Sequence, residues 1–461
     1  MKRILLVLLL ALTAAKIGAV LVRGPVSIEL DASQYWRLST VVMSGDVLLL
    51  SEPIAYRTPI YPWFLAIIRL IFGSYALMAT VVIQGFLSFA TIVIAGKIAA
   101  RVTKLPSAFS LTLLAALPAV SALTFSAAVL TETLFVFLLM LNVLAVLDAV
   151  KHETTGRSVW AGITFAVTLL TRPIVLLLWP AHILFVLFVH WRRRARIGKD
   201  SPHRVKLGKR LMHLGAAALA IAIVISPWLM RNQSLFGKPF LTEFVGRNIW
   251  IVTFQDGSGT GLELPESDAA NRLRNRLSNV GVENWRNTWS VSKGLVASGL
   301  NDPQADQLMK RVSLDALEAN RNPFAYKAFR RVVNFWRCAA TDLPVQGGAD
   351  DVLYGQHSWL RMAPPVDWAL RYRWSQSVLL NTVLLGVLAI AVVVLVFRRS
   401  TRPYGVWFAM ILAYFAFITG ILEIPAYRYR MVLEPLIALT IGAAVAVLLS
   451  RRQKPAVLVE E

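Results

Sequence analysis

Apolar runs long enough to cross a bilayer leave a chain few folds. Every backbone N–H and C=O placed in hydrocarbon needs an internal partner, so such runs must be helical unless they close into a barrel. This sequence carries ten of them, at 4–22, 75–96, 106–121, 125–147, 158–171, 174–190, 211–229, 376–397, 403–421 and 431–450. A span needs about 20 mainly apolar residues, so 106–121 and 158–171 are the short ones. Thr171-Arg172-Pro173 leaves open whether 158–190 is two elements or one kinked element. Of the 461 residues 56% are hydrophobic and 16% charged, where a soluble domain is about 25% charged. The expected fold is an all-α polytopic membrane protein with about ten transmembrane helices, juxtamembrane helices and a mainly helical outer-face domain.

The charges give this bundle a direction. The formal net charge is +22, and 22 cations lie in six groups between or beside the apolar runs: Lys2/Arg3, Lys97/Arg101/Lys104, Lys151/Arg157, nine residues of 191–210, Arg398/Arg399/Arg402 and Arg451/Arg452/Lys454. All six fall on one side if the runs alternate, and Lys/Arg-rich short loops stay cytoplasmic. Both termini are therefore expected inside. The basic stretch 191–210 resembles a nucleic-acid patch in isolation, but between two spans it reads as a topology determinant touching anionic headgroups, so no nucleic-acid partner is expected. The opening MKRILLVLLLALTAA fits a signal peptide. Lys16 and the apolar run to Val22 fit an uncleaved helix better.

Three regions follow: an N-terminal transmembrane module, 1–230, with its first outer loop at 23–74; an outer-face domain, 231–375; and a C-terminal transmembrane module, 376–461. A short outer stretch, 422–430, lies between the last two spans. Helices are expected in the outer domain at Glu266–Leu277, Pro303–Ala319 and Asn322–Trp336, and Pro59–Phe72 reads as an interfacial helix. Seven of the fourteen tryptophans lie in the outer domain (Trp250, Trp285, Trp289, Trp336, Trp359, Trp368, Trp374), mostly for packing and anchoring. The Gly257–Gly261 loop lacks the Lys-Ser/Thr of a phosphate cradle. Cys338, the single cysteine, excludes a disulfide framework, and with His357 it lacks the surroundings of a thiol peptidase.

Candidate chemistry gathers at the outer boundary. Asp31 and Tyr35 are four apart and share a face if 31–42 is a short helix, though a helix-capping carboxylate reads the same way. Glu132 and Glu434 are acids inside apolar runs, where a carboxylate needs a cavity or a partner. Glu132 opens its helix, so capping competes; an arginine neighbour serves Glu434. Arg57, Arg172, Arg231, Arg428 and Arg430 each sit in a short outer turn beside Pro or an aromatic. Headgroup snorkelling explains one or two of them. Five opposite the favoured Lys/Arg side suit an anion at the membrane surface, since a planar guanidinium matches phosphate oxygens.

The order of these motifs resembles the GT-C membrane glycosyltransferases, including the bacterial lipid A aminoarabinose transferases and the protein O-mannosyltransferases. It runs Asp-x-x-x-Tyr at Asp31, Arg-x-Pro-x-Tyr-Pro-x-Phe-Leu from Arg57 through Tyr61, a Glu-led helix at Glu132, Thr-Arg-Pro at Arg172, Pro-Trp-x-x-Arg-Asn at Arg231, Asn-Pro-x-x-Tyr, and Tyr-x-Tyr-Arg-x-x-Leu-Glu-Pro-Leu through Arg428 and Arg430. The resemblance implies a GT-C-like fold and an inverting glycosyltransferase in the plasma (inner) membrane, with its active site on the outer face. It implies a polyprenyl-phosphate sugar as donor and an acceptor hydroxyl or phosphate on a lipid, glycan or protein. Asp31 would be the catalytic base, and Arg57 would hold the donor phosphate, with Arg428, Arg430, Arg172 and Arg231 beside it. Glu132 and Glu29 would serve the acceptor or metal side, and Tyr35 and Tyr61 would support the site. Many relatives carry adjacent acids where this chain has Asp31-Ala32, with Glu29 two residues before. No cofactor is certain, and a divalent metal at Glu29 and Asp31 stays open. The rival class is a polytopic transporter or flippase of a lipid-linked or anionic substrate, which calls for mid-depth polar residues and repeated halves.

Overall fold

The structure is a computed structural model, and it describes residues 2–23, 28, 31–117, 126–196, 207–255, 262–337, 378–424 and 427–450. Glu29, the Gly257–Gly261 loop, Cys338, His357, Trp359, Trp368, Trp374 and the cations at 451–454 lie outside these residues. Helices account for the secondary structure, and no strand occurs among the described residues.

Each of the ten apolar runs contains a helix among its described residues. Among the described residues seven segments are long and apolar enough to cross a membrane: Ile60–Thr103, Glu132–His152, Pro173–Arg193, Leu207–Phe236, Leu380–Phe397, Arg402–Leu422 and Arg428–Ser450. The other three runs correspond to α1 (Lys2–Arg23) and to two shorter helices, α5 (Ser107–Ala116) and α7 (Thr155–Leu169). In the first of the seven, α3 (Ile60–Phe72) leads into α4 (Ala76–Thr103) through a 3-10 turn at Gly73–Tyr75. Gly73 there takes φ +51°, the left-handed region that favours glycine.

One boundary differs from expectation, and the question left open at 158–190 is settled, both for local reasons. The run 125–147 becomes helical only at Glu132, the first residue of α6 (Glu132–His152). Before it, the Gln84 amide donates to the carbonyls of Ser126 and Ala128 at 2.8 Å each, which holds that backbone in a turn. At 158–190 there are two elements. Arg172 is extended (φ −146°, ψ 114°) ahead of Pro173, a short 3-10 segment Pro173–Leu178 follows, and α8 (Trp179–Arg196) comes next. A residue preceding proline is disfavoured in the helical region.

The main core is built from α4, α6, α7 and α8 with α15 (Val378–Phe397), α16 (Arg402–Leu422) and α17 (Glu434–Ser450), around Phe135, Phe185, Trp407 and Phe415. α9 (Leu207–Phe236) packs along α7 and runs past the boundary expected at residue 230. A second core forms beyond it, from α10 (Val245–Trp250), α11 (Asp268–Asn279), α12 (Thr288–Ala297) and α13 (Asp302–Ala319), around Trp250, Leu273, Leu295 and Met309. Three of these helices, α11, α12 and α13, begin on side-chain caps. Ser267 accepts from the Ala270 N–H, and Asn301 and Gln304 form a reciprocal capping box. α14 (Arg321–Arg337) returns to pack against α16.

Candidate active site

The site grows from the first turn of α2 (Asp31–Met43). Asp31 stands at the N-terminus of this helix, where a carboxylate is favoured by the helix dipole. Ala32 and Tyr35 turn inward onto Tyr61, Leu65, Val129 and Leu134. The Tyr35 ring meets the Tyr61 ring edge-on at 5.1 Å, and the Tyr61 hydroxyl donates to Gln84 Oε1 at 3.0 Å. These aromatics form an apolar floor under the carboxylate. The same Gln84 holds the 126–128 turn that delivers Glu132.

Arg57 lies across this floor. Its Nη2 donates to Asp31 Oδ1 at 2.6 Å, Nη1 to the Tyr35 hydroxyl at 2.9 Å and Nε to Gln34 Oε1 at 2.7 Å. The guanidinium also stacks over the Tyr35 ring at 4.6 Å. The loop bearing Arg57 is fastened from both sides. Arg231 donates to the carbonyls of Leu49, Ile54 and Glu52, and the Ala55 N–H donates to Asp302 Oδ2 at 2.7 Å. Thr58 then ties the loop to the Thr171 carbonyl at 3.2 Å, beside Arg172.

Glu132 is the fully buried partner of this arrangement, with 0% of its side chain exposed, whereas Asp31 exposes 31%. Arg172 Nη1 lies 2.7 Å from Glu132 Oε1, and Arg428 Nε donates to the same oxygen. Arg428 Nη1 also reaches Asp31 Oδ2 at 3.2 Å. One guanidinium therefore bridges the two acids, while Arg57 takes the other oxygen of Asp31. Burial pushes the Asp31 carboxyl up, but Arg57 and Arg428 outweigh it and hold the group below the usual carboxylate range. Asp31 is thus ionised at neutral pH.

Of the predicted site residues, Asp31, Tyr35, Tyr61, Arg57, Glu132, Arg172 and Arg428 come together. Arg231 does not join them, because its guanidinium is used by loop carbonyls and by the Trp228 ring at 4.6 Å. Arg430 pairs with Glu434 at 3.6 Å, one turn along the chain, which also answers the cost of Glu434 in an apolar run. Three further residues belong to the site or its support. Gln34 orients Arg57. Asp302 pins Ala55. Glu423, after the end of α16, is hydrogen-bonded to Tyr429 and feels the charges of Arg172, Arg428 and Asp31. Burial pushes its carboxyl up to about 7 against the lowering effect of Tyr429 and the two arginines. Its stretch, Glu-Ile-Pro-Ala-Tyr-Arg, contains the only signal, an acid two residues before a proline in an outer turn.

Among the described residues no group of three His, Cys, Asp or Glu side chains is placed to hold a metal ion. The donor set around Asp31 and Glu132 is instead guanidinium on nearly every side, which suits an anion.

The profile of the dolichyl-phosphate-mannose-protein mannosyltransferases matches residues 56–230, a stretch that begins beside Arg57 and contains Glu132 and Arg172. The chain is similar to the GT-C membrane glycosyltransferases. At the level of that family the likeness supports glycosyl transfer, and with the apolar helices it makes this a multi-pass membrane protein. Among solved structures, ArnT from Cupriavidus metallidurans, crystallised bound to undecaprenyl phosphate, is 15% identical, with 95% of this chain and 77% of that chain covered and a TM-score of 0.37. No curated protein matches the sequence.

Proposed function

We propose that this protein is an inverting glycosyltransferase that moves a sugar from a polyprenyl-phosphate donor to an acceptor hydroxyl at the outer face of the plasma membrane. One observation carries the reading: an accessible carboxylate, Asp31, shares Arg428 with a sealed one, Glu132, and holds Arg57 on its other oxygen. The leaving group in such a donor is a phosphate, a weak base that needs no protonation. The transition state needs positive charge where that phosphate departs and a base for the acceptor proton. Arg57 and Arg428 supply the first and Asp31 the second.

The two roles are coupled. While both arginines grip Asp31 it is a poor base. A donor phosphate bound at Arg57 and Arg428 competes for their N–H groups, loosens their hold on the carboxylate and raises its basicity as the reactants assemble. The acceptor O–H then gives its proton to Asp31, its oxygen forms the new bond to the anomeric carbon, and the C–O bond to phosphate breaks with the electron pair leaving on the phosphate. Glu132 keeps Arg172 and Arg428 in place from below. A phosphate acceptor would arrive already ionised, so a positioned base favours a hydroxyl on a lipid, glycan or protein.

The test is a membrane assay with a panel of polyprenyl-phosphate sugars labelled in the sugar. Label moving to an acceptor, with one polyprenyl phosphate released per transfer, is the expected result. Label that crosses the bilayer on the intact donor, with no covalent transfer from any member of the panel, would replace this reading with the flippase one.

A further inference from the structure

At the opposite end of α6 from Glu132, a cavity of about 370 Å³ opens between α6, α7, α8 and α9. Its walls are mostly apolar, with Val146, Phe165, Ile183, Val186 and Ile221 among them. The lining follows α9 from Arg210 to Ile225, about 22 Å at 1.5 Å per residue. That is more than one leaflet of a hydrocarbon core about 30 Å thick.

The two ends of this slot differ. At the start of α9, Arg210 and His213 line it while exposing only 2% and 5% of their surface. Arg210 Nη2 pairs with Glu153, but its Nε has no partner, and neither has Nδ1 of His213. Arg193 also pairs with Glu153, and Lys209 is adjacent in sequence, so cations outnumber the one acid. Buried polar atoms without partners are costly, and both residues that carry them belong to the cavity wall. Further along, the polar wall groups are already satisfied. Trp407 Nε1 donates to His182 Nδ1 at 3.1 Å, so His182 Nε2 carries the proton toward Asn142 Oδ1 at 3.0 Å. Asn142 Nδ2 in turn donates to the Ala161 carbonyl at 3.0 Å. The middle of the slot makes no polar demand.

A long apolar slot with a buried arginine, a buried imidazole and an excess of cations at one end has the shape and polarity of an anionic phospholipid. We propose that it is a binding site for an anionic phospholipid, with the phosphate held by Arg210 and His213 and one acyl chain running along α9 toward Ile225. Basic pockets between transmembrane helices on the cytoplasmic side are known to take such headgroups, and Arg210 closes the basic stretch 191–210. The site is separate from the Asp31 cluster: Glu132 and Val150, at the two ends of α6, are about 27 Å apart along the helix. The lipid would wedge α9 against α7, where Gly162 already brings the backbones so close that a Cβ would strike the Ala217 carbonyl.

The full-length protein is reconstituted in nanodiscs of mixed phosphatidylglycerol and phosphatidylcholine, released into mild detergent and examined by native mass spectrometry. The expected result is one retained phosphatidylglycerol per chain, in preference to phosphatidylcholine. The double variant Arg210→Gln/His213→Gln lowers that retention tenfold or more. Ala218→Phe, at a lipid-facing position of the cavity wall, obstructs the chain while leaving Arg210 and His213 in place and gives a similar loss. Arg311→Gln, on an exposed face of the outer unit, leaves retention unchanged. Should the double variant not survive purification, Ala218→Phe decides alone. Undiminished retention in Ala218→Phe, or equal retention of the two lipids by the unmodified protein, overturns the proposal.

Discussion

Two places in this molecule use the same device, an arginine bridging two carboxylates, and they differ in what is left over. In the outer unit Arg247 pairs with Asp302 and with Asp306 at 3.1 Å, and none of its side chain is exposed. Every other acceptor there is occupied: the N–H groups of Gly246 and Arg247 donate to Asp306 at 2.8 and 2.9 Å, and Ser292 Oγ accepts from Arg247 Nε at 2.9 Å. At the membrane mouth Arg428 bridges Asp31 and Glu132, but Asp31 remains about one-third exposed. One cluster is closed and can only hold structure. The other has one sealed acid and one open acid, so a ligand can replace a partner without burying a bare charge. Exposure of a single carboxylate, with the pairing pattern unchanged, separates an anchor from a site.

The comparison breaks most sharply at the open acid. Asp31→Asn should lower sugar transfer by about 10²–10⁴-fold, the range of a positioned general base, with membrane insertion and thermal unfolding nearly unchanged. Near-normal turnover in a donor-labelled membrane assay would place Asp31 with the anchors. The closed cluster answers in the other currency. Arg247→Ala strands two buried carboxylates and should destabilise the outer unit by about 3–5 kcal/mol, seen as early unfolding in a thermal melt. Because Asp302 also pins the Ala55 N–H, activity should fall with the fraction folded and recover on cooling. A loss of transfer at full folding would make Arg247 part of the chemistry.

What could be read from the sequence follows the range of each interaction. The helices were legible because their cause is local: apolar runs, capping residues and prolines act within a few positions. Arg430 with Glu434 is legible for the same reason, being one helical turn apart. Asp31 with Arg428 is not, since 397 residues separate them and five outer arginines looked alike in sequence. Only packing distinguishes Arg428, whose guanidinium faces two acids, from Arg231, whose guanidinium faces carbonyls of the 49–54 loop. Glu423 carries only the weak signal of an acid two residues before a proline; its surroundings include Arg172 and Asp31, brought in from distant segments by the fold.

The forked geometry of the open cluster gives the next test. Arg57 uses three nitrogens on three different partners, and a lysine keeps the charge while losing the fork. Arg57→Lys should raise the donor KM about tenfold or more, with a smaller change in the acceptor KM, measured by varying each substrate in turn. Equal effects on both would mean that Arg57 acts only by holding Asp31.

The smallest effect concerns charge balance. With Asp31 and Glu132 ionised and Glu423 neutral, three guanidiniums face two anions, and the cluster carries one net positive charge for a donor phosphate. As pH rises through about 7, Glu423 ionises and the excess disappears. The donor KM should therefore rise a few-fold between pH 6 and pH 8. In Glu423→Gln, which cannot ionise, it should stay near its low-pH value. The same group bears on stability with a definite sign: a carboxyl whose folded pKa lies above its unfolded one stabilises most fully below the unfolded value, and that contribution is lost as pH rises through about 7. Glu423→Gln should flatten the KM profile around pH 7 and the stability profile from the unfolded carboxyl value up to about 7. A donor KM that rises with pH just as steeply in the variant would assign the titration elsewhere, and Glu423 would then join the closed cluster as an anchor.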